Sequence, residues 1–237
     1  LATLSSRFVE SPIRRRKTLA WKPLFSGAAA AMAVTALGGV AVASAQGVPQ
    51  RLQPEIRKIL AEERNHEPRM DICFGLTAHD VRKGRLCRIG ATADVEPSFL
   101  LWGDSHADAL LPAVQKVAKA RNKAGLFAGT DSCAPLLGVV RPDAVKCKPF
   151  NDAVAKVALR PGIKEVILDA RWSKNAYGEA RGEGPGRIYP YDNQGQGVDI
   201  ASTEAVFRRG LERTVRLLAK AGKHVVIVAS VPEAGYS

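Results

Sequence analysis

A serine lies at an abrupt change of pattern in the segment LLWGDSHADALLP, residues 100–112. The apolar run that ends at Trp102 predicts a buried strand, and the apolar residues from Leu110 onward have helical spacing. Ser105 would therefore lie on the corner between a strand and a helix, with its hydroxyl held out of the sheet. The N-terminal N–H groups of a helix stabilise negative charge. A serine there is suited to acyl transfer through a covalent ester.

The same residues also fit a purely structural role. Asp and Ser are the residues that most often accept hydrogen bonds from the first N–H groups of a helix, so Asp104 or Ser105 could simply cap it. The strands and helices predicted around this corner help to distinguish a catalytic serine from a helix cap.

Strands and helices alternate from Ser98 onward, which predicts an α/β fold. Apolar strands are predicted at 98–103, 124–129, 164–170 and 224–230, and amphipathic helices at 107–121, 149–159 and 202–221. Such alternation is typical of βαβ units, in which a parallel sheet lies between two layers of helices as a three-layer sandwich.

Polar residues follow three of the predicted strands. Ser105 follows the first, Thr130-Asp131-Ser132 the second, and Arg171-Trp172 the third. Ligands bind beyond the carboxyl ends of the strands in sheets of this kind. The convergence of three polar clusters favours a functional site over a simple helix cap.

The net charge of +12 is unevenly distributed. The first 23 residues carry +5, and the other 214 carry +7 without a basic stripe interleaved with aromatic side chains. This pattern argues against a nucleic-acid partner.

Residues 24–45 contain no charged side chain, and they follow a basic cluster at 14–17. As a helix, these 22 residues would span about 33 Å, which is enough to cross a bilayer. The basic cluster predicts a cytoplasmic N-terminal side. The alternative is a cleaved signal peptide ending near AVASAQ (41–46). Both interpretations export the rest of the chain.

The four cysteines form two pairs with a spacing of 14 residues, and three disulfide pairings are possible. We favour Cys73–Cys87 and Cys133–Cys147, because each pair brackets a loop-like stretch. Closing a loop of this size contributes about 3 kcal/mol and implies an oxidising compartment. The spacing fits neither a zinc nor a redox motif, and we predict no metal site.

These features predict four segments. Residues 1–23 are a basic cytoplasmic segment, 24–45 a membrane helix, 46–97 a polar linker with one helix at 54–65, and 98–237 the α/β domain.

WGDSHADALLP resembles the first conserved block of the SGNH hydrolase superfamily, and DSCAPLL and VILDARW follow it in this chain. Together they resemble the SGNH domain fused to membrane O-acyltransferases of the acyltransferase-three family. SSRFVESPIRRRK is similar to the segment that closes the membrane domain of that family. The resemblance implies a flavodoxin-like sheet and a retained membrane helix, with residues 1–23 ending the acyltransferase membrane domain.

The resemblance also implies a function. The membrane domain would pass an acyl group, usually acetyl, outward from a donor such as acetyl-CoA, and no cofactor is implied for this segment. The SGNH domain, in the periplasm at the bacterial inner membrane, would then O-acetylate a cell-envelope polysaccharide. The implied partners are the glycan acceptor, the lipid bilayer and the upstream membrane domain.

The family pattern assigns roles to the first conserved block. Ser105 matches the nucleophile, and its N–H would be one oxyanion donor. Gly103, Asp104 and His106 match the turn around it.

The second and third blocks match less closely. A second oxyanion donor is expected near Ser132. The asparagine block is replaced by DARWSKNAYG, in which Arg171 and Asn175 are possible substitutes. Arg171 could equally be a surface or ion-paired residue, with Trp172 in the core.

The D-x-x-H segment of the family, which activates the serine, is not found in this sequence. The four histidines are His66, His79, His106 and His224, and none lies in such a segment. We therefore expect the chain to be a fragment whose activating Asp and His lie beyond residue 237.

Three classes of function remain open at this point. The chain could be part of an envelope O-acyltransferase, a secreted SGNH esterase with a cleaved signal peptide, or a non-catalytic envelope module. The first two share one acyl-enzyme chemistry and differ in whether a sugar hydroxyl or water attacks the ester.

Overall fold

The structure is a computed structural model that describes residues 11, 21–45, 47–62, 70–92, 94–177 and 189–230. The chain divides into two compact units, Leu1–Arg64 and Asn65–Ser237.

The first unit contains a long apolar helix, α1 (Trp21–Ser44), where the sequence predicts a membrane span at 24–45. By length and composition this helix could cross a membrane, with a mean hydropathy of 1.7. A second helix, α2 (Pro54–Glu62), begins at a proline, which is favoured in the first turn. The predicted end of this helix at residue 65 lies outside the described residues.

The second unit is built on a five-stranded sheet of β1 (Cys87–Gly90), β2 (Pro97–Gly103), β3 (Ala124–Gly129), β4 (Glu165–Asp169) and β7 (His224–Ile227). The strands lie side by side in the order β1-β3-β2-β4-β7. Strands β2, β3, β4 and β7 are parallel, whereas β1 pairs antiparallel with β3 at the edge. The predicted α/β class is confirmed, although the sheet is mixed rather than wholly parallel.

Helices cover both faces of the sheet. On one face, α5 (Ser105–Ala120) packs Ala107, Leu111 and Ala118 against Phe99 and Leu101 of β2. On the other face, the core includes residues of α6 (Cys147–Ala158), α8 (Ile200–Lys220) and the short α4 (Ala78–Arg82). Two further short elements lie between β4 and α8 in the chain, α7 (Trp172–Tyr177) and the hairpin of β5 (Tyr191–Asp192) and β6 (Gly195–Gln196).

The boundaries of the strands and helices predicted from residue 98 onward differ from the observed ones by at most three residues, and the strand at 124–129 has the predicted bounds. The helix predicted at 107–121 begins at Ser105, because the Asp104 side chain caps it there. The helix predicted at 202–221 begins at Ile200 behind a capping box of Asp199 and Ser202. The last strand ends at Ile227 rather than at residue 230.

Both predicted disulfides are present. Cys73–Cys87 joins the short helix α3 (Met70–Cys73) to β1, and Cys133–Cys147 joins the loop after β3 to the start of α6. Residues 70–92 therefore belong to the same compact unit as the sheet, although the sequence placed them in a linker.

The β5–β6 hairpin is attached to α8 through a buried carboxylate. Asp192 accepts hydrogen bonds from Arg209 (2.9 Å) and Arg213 (3.0 Å). The hydrogen bond from Arg209, with Arg213 adding to it, holds the pKa of Asp192 well below its usual range.

Replacing Asp192 with asparagine should destabilise the second unit by about 2 kcal/mol at neutral pH, since a buried charge-assisted pair is lost. The native pKa is lowered, so this stabilisation is fully present above the unfolded pKa of about 3.9 and is lost progressively as the pH falls from there through the native pKa. In urea denaturation, the difference in stability between the wild type and D192N should therefore be smaller at pH 3 than at pH 7, by about 1 kcal/mol. The control is Asp152→Asn, which affects an exposed pair with Lys148 and should change stability little. A difference that stays constant with pH would contradict the assignment.

Candidate functional site

The strand register places the ends of three strands side by side. Gly103 of β2 lies opposite Gly129 of β3 and opposite Asp169 of β4. The loops that follow these residues therefore leave the sheet at one edge, as the sequence predicts.

Ser105 is the first residue of α5, and it is exposed to solvent. The Asp104 carboxylate caps the helix by accepting the N–H of His106 at 2.9 Å. No acceptor for the N–H of Ser105 is found in the part of the chain that the structure describes. The residue thus presents a hydroxyl and an N–H at the same helix end.

Asp104 also joins the corner after β2 to the chain after β4. The carboxylate is buried, and it accepts the N–H of Arg171 at 3.0 Å. The N–H of Asp104 in turn donates to the carbonyl of Asp169 at 3.3 Å. A single residue therefore fixes both the turn before Ser105 and the start of the loop at Arg171.

A second acid lies beside this turn. Burial raises the pKa of Asp169, and the negative charge of Asp104 raises it further, while His106 partly opposes the shift. His106 is half-buried, with its Nδ1 3.5 Å from Asp104 Oδ1. Sequence reasoning missed Asp169. The signal was an acid at the end of an otherwise apolar strand, VILD.

The loop after β3 contains Ser132. The N–H of Thr130 donates to the carbonyl of Gly103, and the N–H of Cys133 donates to the carbonyl of Thr130, both at 3.3 Å. Ser132 has a left-handed backbone with φ +61°, and its own N–H has no partner among the described residues. Its role as an oxyanion donor stays a prediction.

The predicted substitutes for the third block lie at the start of α7. Arg171 is half-buried. Asn175 is buried, and its amide donates to the carbonyl of Arg171 (3.0 Å) and accepts from Arg141 (3.3 Å). Trp172 is in the core, and its indole N–H donates to the carbonyl of Val228. The roles of Arg171 and Asn175 toward a substrate stay predictions.

The described histidines other than His106 lie apart from Ser105 in the fold or face solvent. His224 begins β7, opposite Glu165 and hence at the amino ends of the strands, the far edge of the sheet. His79 lies on α4 and is exposed. His106 follows Ser105 directly on a helix, where neighbouring side chains do not face each other. His66 is outside the described residues.

Within the described ranges, no three His, Cys, Asp or Glu side chains are grouped to hold a metal ion.

The site therefore combines an exposed serine at a helix N-terminus with loops that hydrogen bonds tie to it. A family model described as the SGNH domain (fused to AT3 domains) matches residues 72–237. The chain belongs to this SGNH domain family. The match extends from α3 to the last residue of the chain and includes every strand of the sheet. No curated protein and no solved structure matches the chain.

Membership of the SGNH domain family indicates an esterase or acyl-transferring type of activity. The geometry agrees with this chemistry. Ser105 is exposed at the start of α5, and the N–H groups of Ser105 and Ser132 have no acceptor among the residues that the structure describes. The match also confirms the predicted resemblance to SGNH domains.

Asp104→Ala should destabilise the SGNH domain by about 3 kcal/mol, since the helix loses its cap and the N–H of Arg171 loses its acceptor. Asp104→Asn keeps an oxygen that can cap the helix, and it should cost less than half as much. Urea denaturation of both variants measures the difference. Equal losses would show that the hydrogen bonds of this carboxylate do not determine the effect.

Proposed function

We propose that this SGNH domain transfers an acyl group, most simply acetyl, to a hydroxyl of a cell-envelope glycan through an ester on Ser105. One observation is central to this proposal. Ser105 is exposed at the N-terminus of α5, beyond the carboxyl ends of the strands. The chain segments that follow β2, β3 and β4 meet there and are joined by hydrogen bonds.

In the first step, Ser105 Oγ attacks the acyl carbonyl carbon. The bond from that carbon to the donor breaks, and the donor leaves with the proton that the serine loses. In the second step, a glycan hydroxyl attacks the serine ester, and its proton returns to Ser105 as the C–O bond to the enzyme breaks. The N–H groups of Ser105 and Ser132 would stabilise the negative charge on the carbonyl oxygen in both steps.

The proton transfers require a general base, and the fold indicates where one can enter. Strand β7 is parallel to β4, so the chain that follows it emerges at the same edge as Ser105. Ser230 Oγ accepts the N–H of Trp172 at 3.1 Å, which brings this segment next to the loop at Arg171. A D-x-x-H segment beyond residue 237, where we expect it, would thus continue from a chain that leaves the sheet on the side of Ser105.

We further propose that α1 anchors the domain in the bacterial inner membrane as the last helix of an upstream acyltransferase domain, with the SGNH domain in the periplasm. The length and apolar character of α1 support this proposal, as do the basic cluster at 14–17 and the two disulfides. The family description, which names fusion to AT3 domains, favours transfer over secretion as a free esterase. The acyl donor, such as acetyl-CoA, would bind to the upstream domain.

The proposal is tested with the complete protein in membrane vesicles, supplied with radiolabelled acetyl donor and a purified envelope polysaccharide. We expect labelled acetyl on the Ser105 peptide after rapid quenching, followed by label in the polysaccharide. Release of free acetate alone, at every polysaccharide concentration, would instead indicate an esterase. A protein that never becomes labelled would indicate a non-catalytic module.

A further inference from the structure

Arg141 lies on the loop between β3 and α6, and its side chain is only 12% exposed. Its Nη1 donates to the carbonyl of Ser132 at 3.4 Å and to Asn175 Oδ1 at 3.3 Å. Its Nε donates to Asp143 Oδ1 at 3.1 Å, and its Nη2 pairs with the other oxygen of the same carboxylate. One guanidinium therefore has acceptors on the β3 loop and on α7.

These contacts form part of a longer chain of hydrogen bonds. Asn175 donates to the carbonyl of Arg171, and the N–H of Arg171 donates to the carboxylate of Asp104, which caps the helix of Ser105. Arg141 thus connects the carbonyl of Ser132 to the cap of the serine helix. Under the proposed function, the N–H groups of Ser105 and Ser132 act on the same carbonyl oxygen of the acyl group. The Arg141 side chain connects the two segments that carry these N–H groups.

The backbone at Ser132 needs such a restraint. A left-handed conformation costs a non-glycine residue about 1 kcal/mol, and the φ of Ser132 is +61°. Arg141 holds the carbonyl of Ser132, while the N–H of the next residue, Cys133, is held by Thr130. The carbonyl of Ser132 and the N–H of Cys133 belong to the same peptide plane, so these two hydrogen bonds hold that plane in place. The N–H of Ser132 lies in the preceding plane, and the left-handed backbone of Ser132 sets its direction relative to the held plane.

We propose that Arg141 is a positioning residue that orients the Ser132 N–H toward the carbonyl oxygen of the acyl group on Ser105. This inference rests on the proposed function. Arginine suits the role because its planar guanidinium donates in several fixed directions at once, whereas lysine offers a single point charge.

The test uses the complete protein and p-nitrophenyl acetate. The initial burst of p-nitrophenol measures the rate at which Ser105 is acylated. Arg141→Ala should lower the acylation rate constant about 10- to 100-fold and change KM less than about twofold, since the restrained N–H acts only on the transition state. Arg141→Lys should recover only part of the rate. Guanidinium at millimolar concentration should partly restore R141A, and N175A should add little to R141A because both act through one contact.

The matched control is Arg216→Ala, which removes an exposed arginine paired with Glu212 and should leave the rate unchanged. A wild-type protein without Ser105-dependent acylation would refute the proposed function itself. Normal acylation in the wild type with an unchanged rate constant in R141A and R141K would overturn only the role of Arg141. A second result would also overturn the role of Arg141. If R141A loses rate in proportion to a fall in its Tm, and guanidinium does not restore the rate, the loss reflects destabilisation of the fold alone.

Discussion

Replacing Ser105 with alanine should reduce acyl transfer by at least about 10³-fold, because the variant lacks the hydroxyl on which we propose that the covalent ester forms. The fold should be unaffected, since the side chain is exposed and its hydroxyl makes no hydrogen bond within the described part of the chain. A serine-directed phosphonate applied to the complete protein, followed by peptide mapping, should label one peptide in the wild type and none in S105A. The free energy of unfolding of S105A, measured by urea denaturation, should be within about 0.5 kcal/mol of the wild-type value.

Ser132→Ala is the matched control for this experiment. It removes a hydroxyl from the neighbouring loop but keeps the backbone N–H that we assign to the oxyanion site, so labelling should persist. Labelling that survives Ser105→Ala would place the nucleophile elsewhere and would remove the basis of the proposed chemistry.

Replacing Gly103 with alanine should have the largest effect on stability. An added Cβ would lie 1.7 Å from the carbonyl oxygen of Asp169 and 2.6 Å from the Cβ of Ala107. The first is backbone of the adjacent central strand and the second belongs to the helix of Ser105, so neither can move without separating β2 from its neighbours. We expect a loss of about 3 kcal/mol or more, or failure to fold.

Gly195→Ala provides the comparison for G103A. Gly195 lies in the exposed β5–β6 hairpin, and an added Cβ there meets nothing within 4 Å. Urea denaturation should show G195A close to the wild type. A G103A variant within about 1 kcal/mol of the wild type would show that the strands separate more easily than their register suggests.

The four parallel strands and the helices between them could be predicted because each element has its own apolar pattern. Strand β1 could not, because CRIG is short and half polar, and it becomes a strand only by pairing with β3 more than 30 residues away. The local disulfides were predictable from spacing, since a 14-residue separation favours closure within each pair.

The position of Ser105 at a strand-to-helix corner follows from the sequence, because strand and helix periodicities meet there. The connections that hold the corner do not. Asp104 and Arg171 are 67 positions apart, and Arg141 and Asn175 are 34 apart. Each of these contacts depends on how two loops lie after the sheet has formed, and no local pattern encodes that. Asp169 was missed for the same reason, since its place beside Gly103 and Asp104 depends on the pairing of β4 with β2.

The bridge between Cys133 and Cys147 places a condition on when the site is complete. Cys133 directly follows Ser132, and the bridge closes the loop that contains Arg141. In a reducing compartment this loop is held by hydrogen bonds alone, whereas in an oxidising one it is closed covalently. Under the proposed function, we therefore expect a newly made chain to form the ester on Ser105 slowly until its thiols are oxidised. Acylation rates measured alongside peptide mapping of the thiols would show this maturation as a gain of activity that follows the oxidation of Cys133 and Cys147, two of the four cysteines.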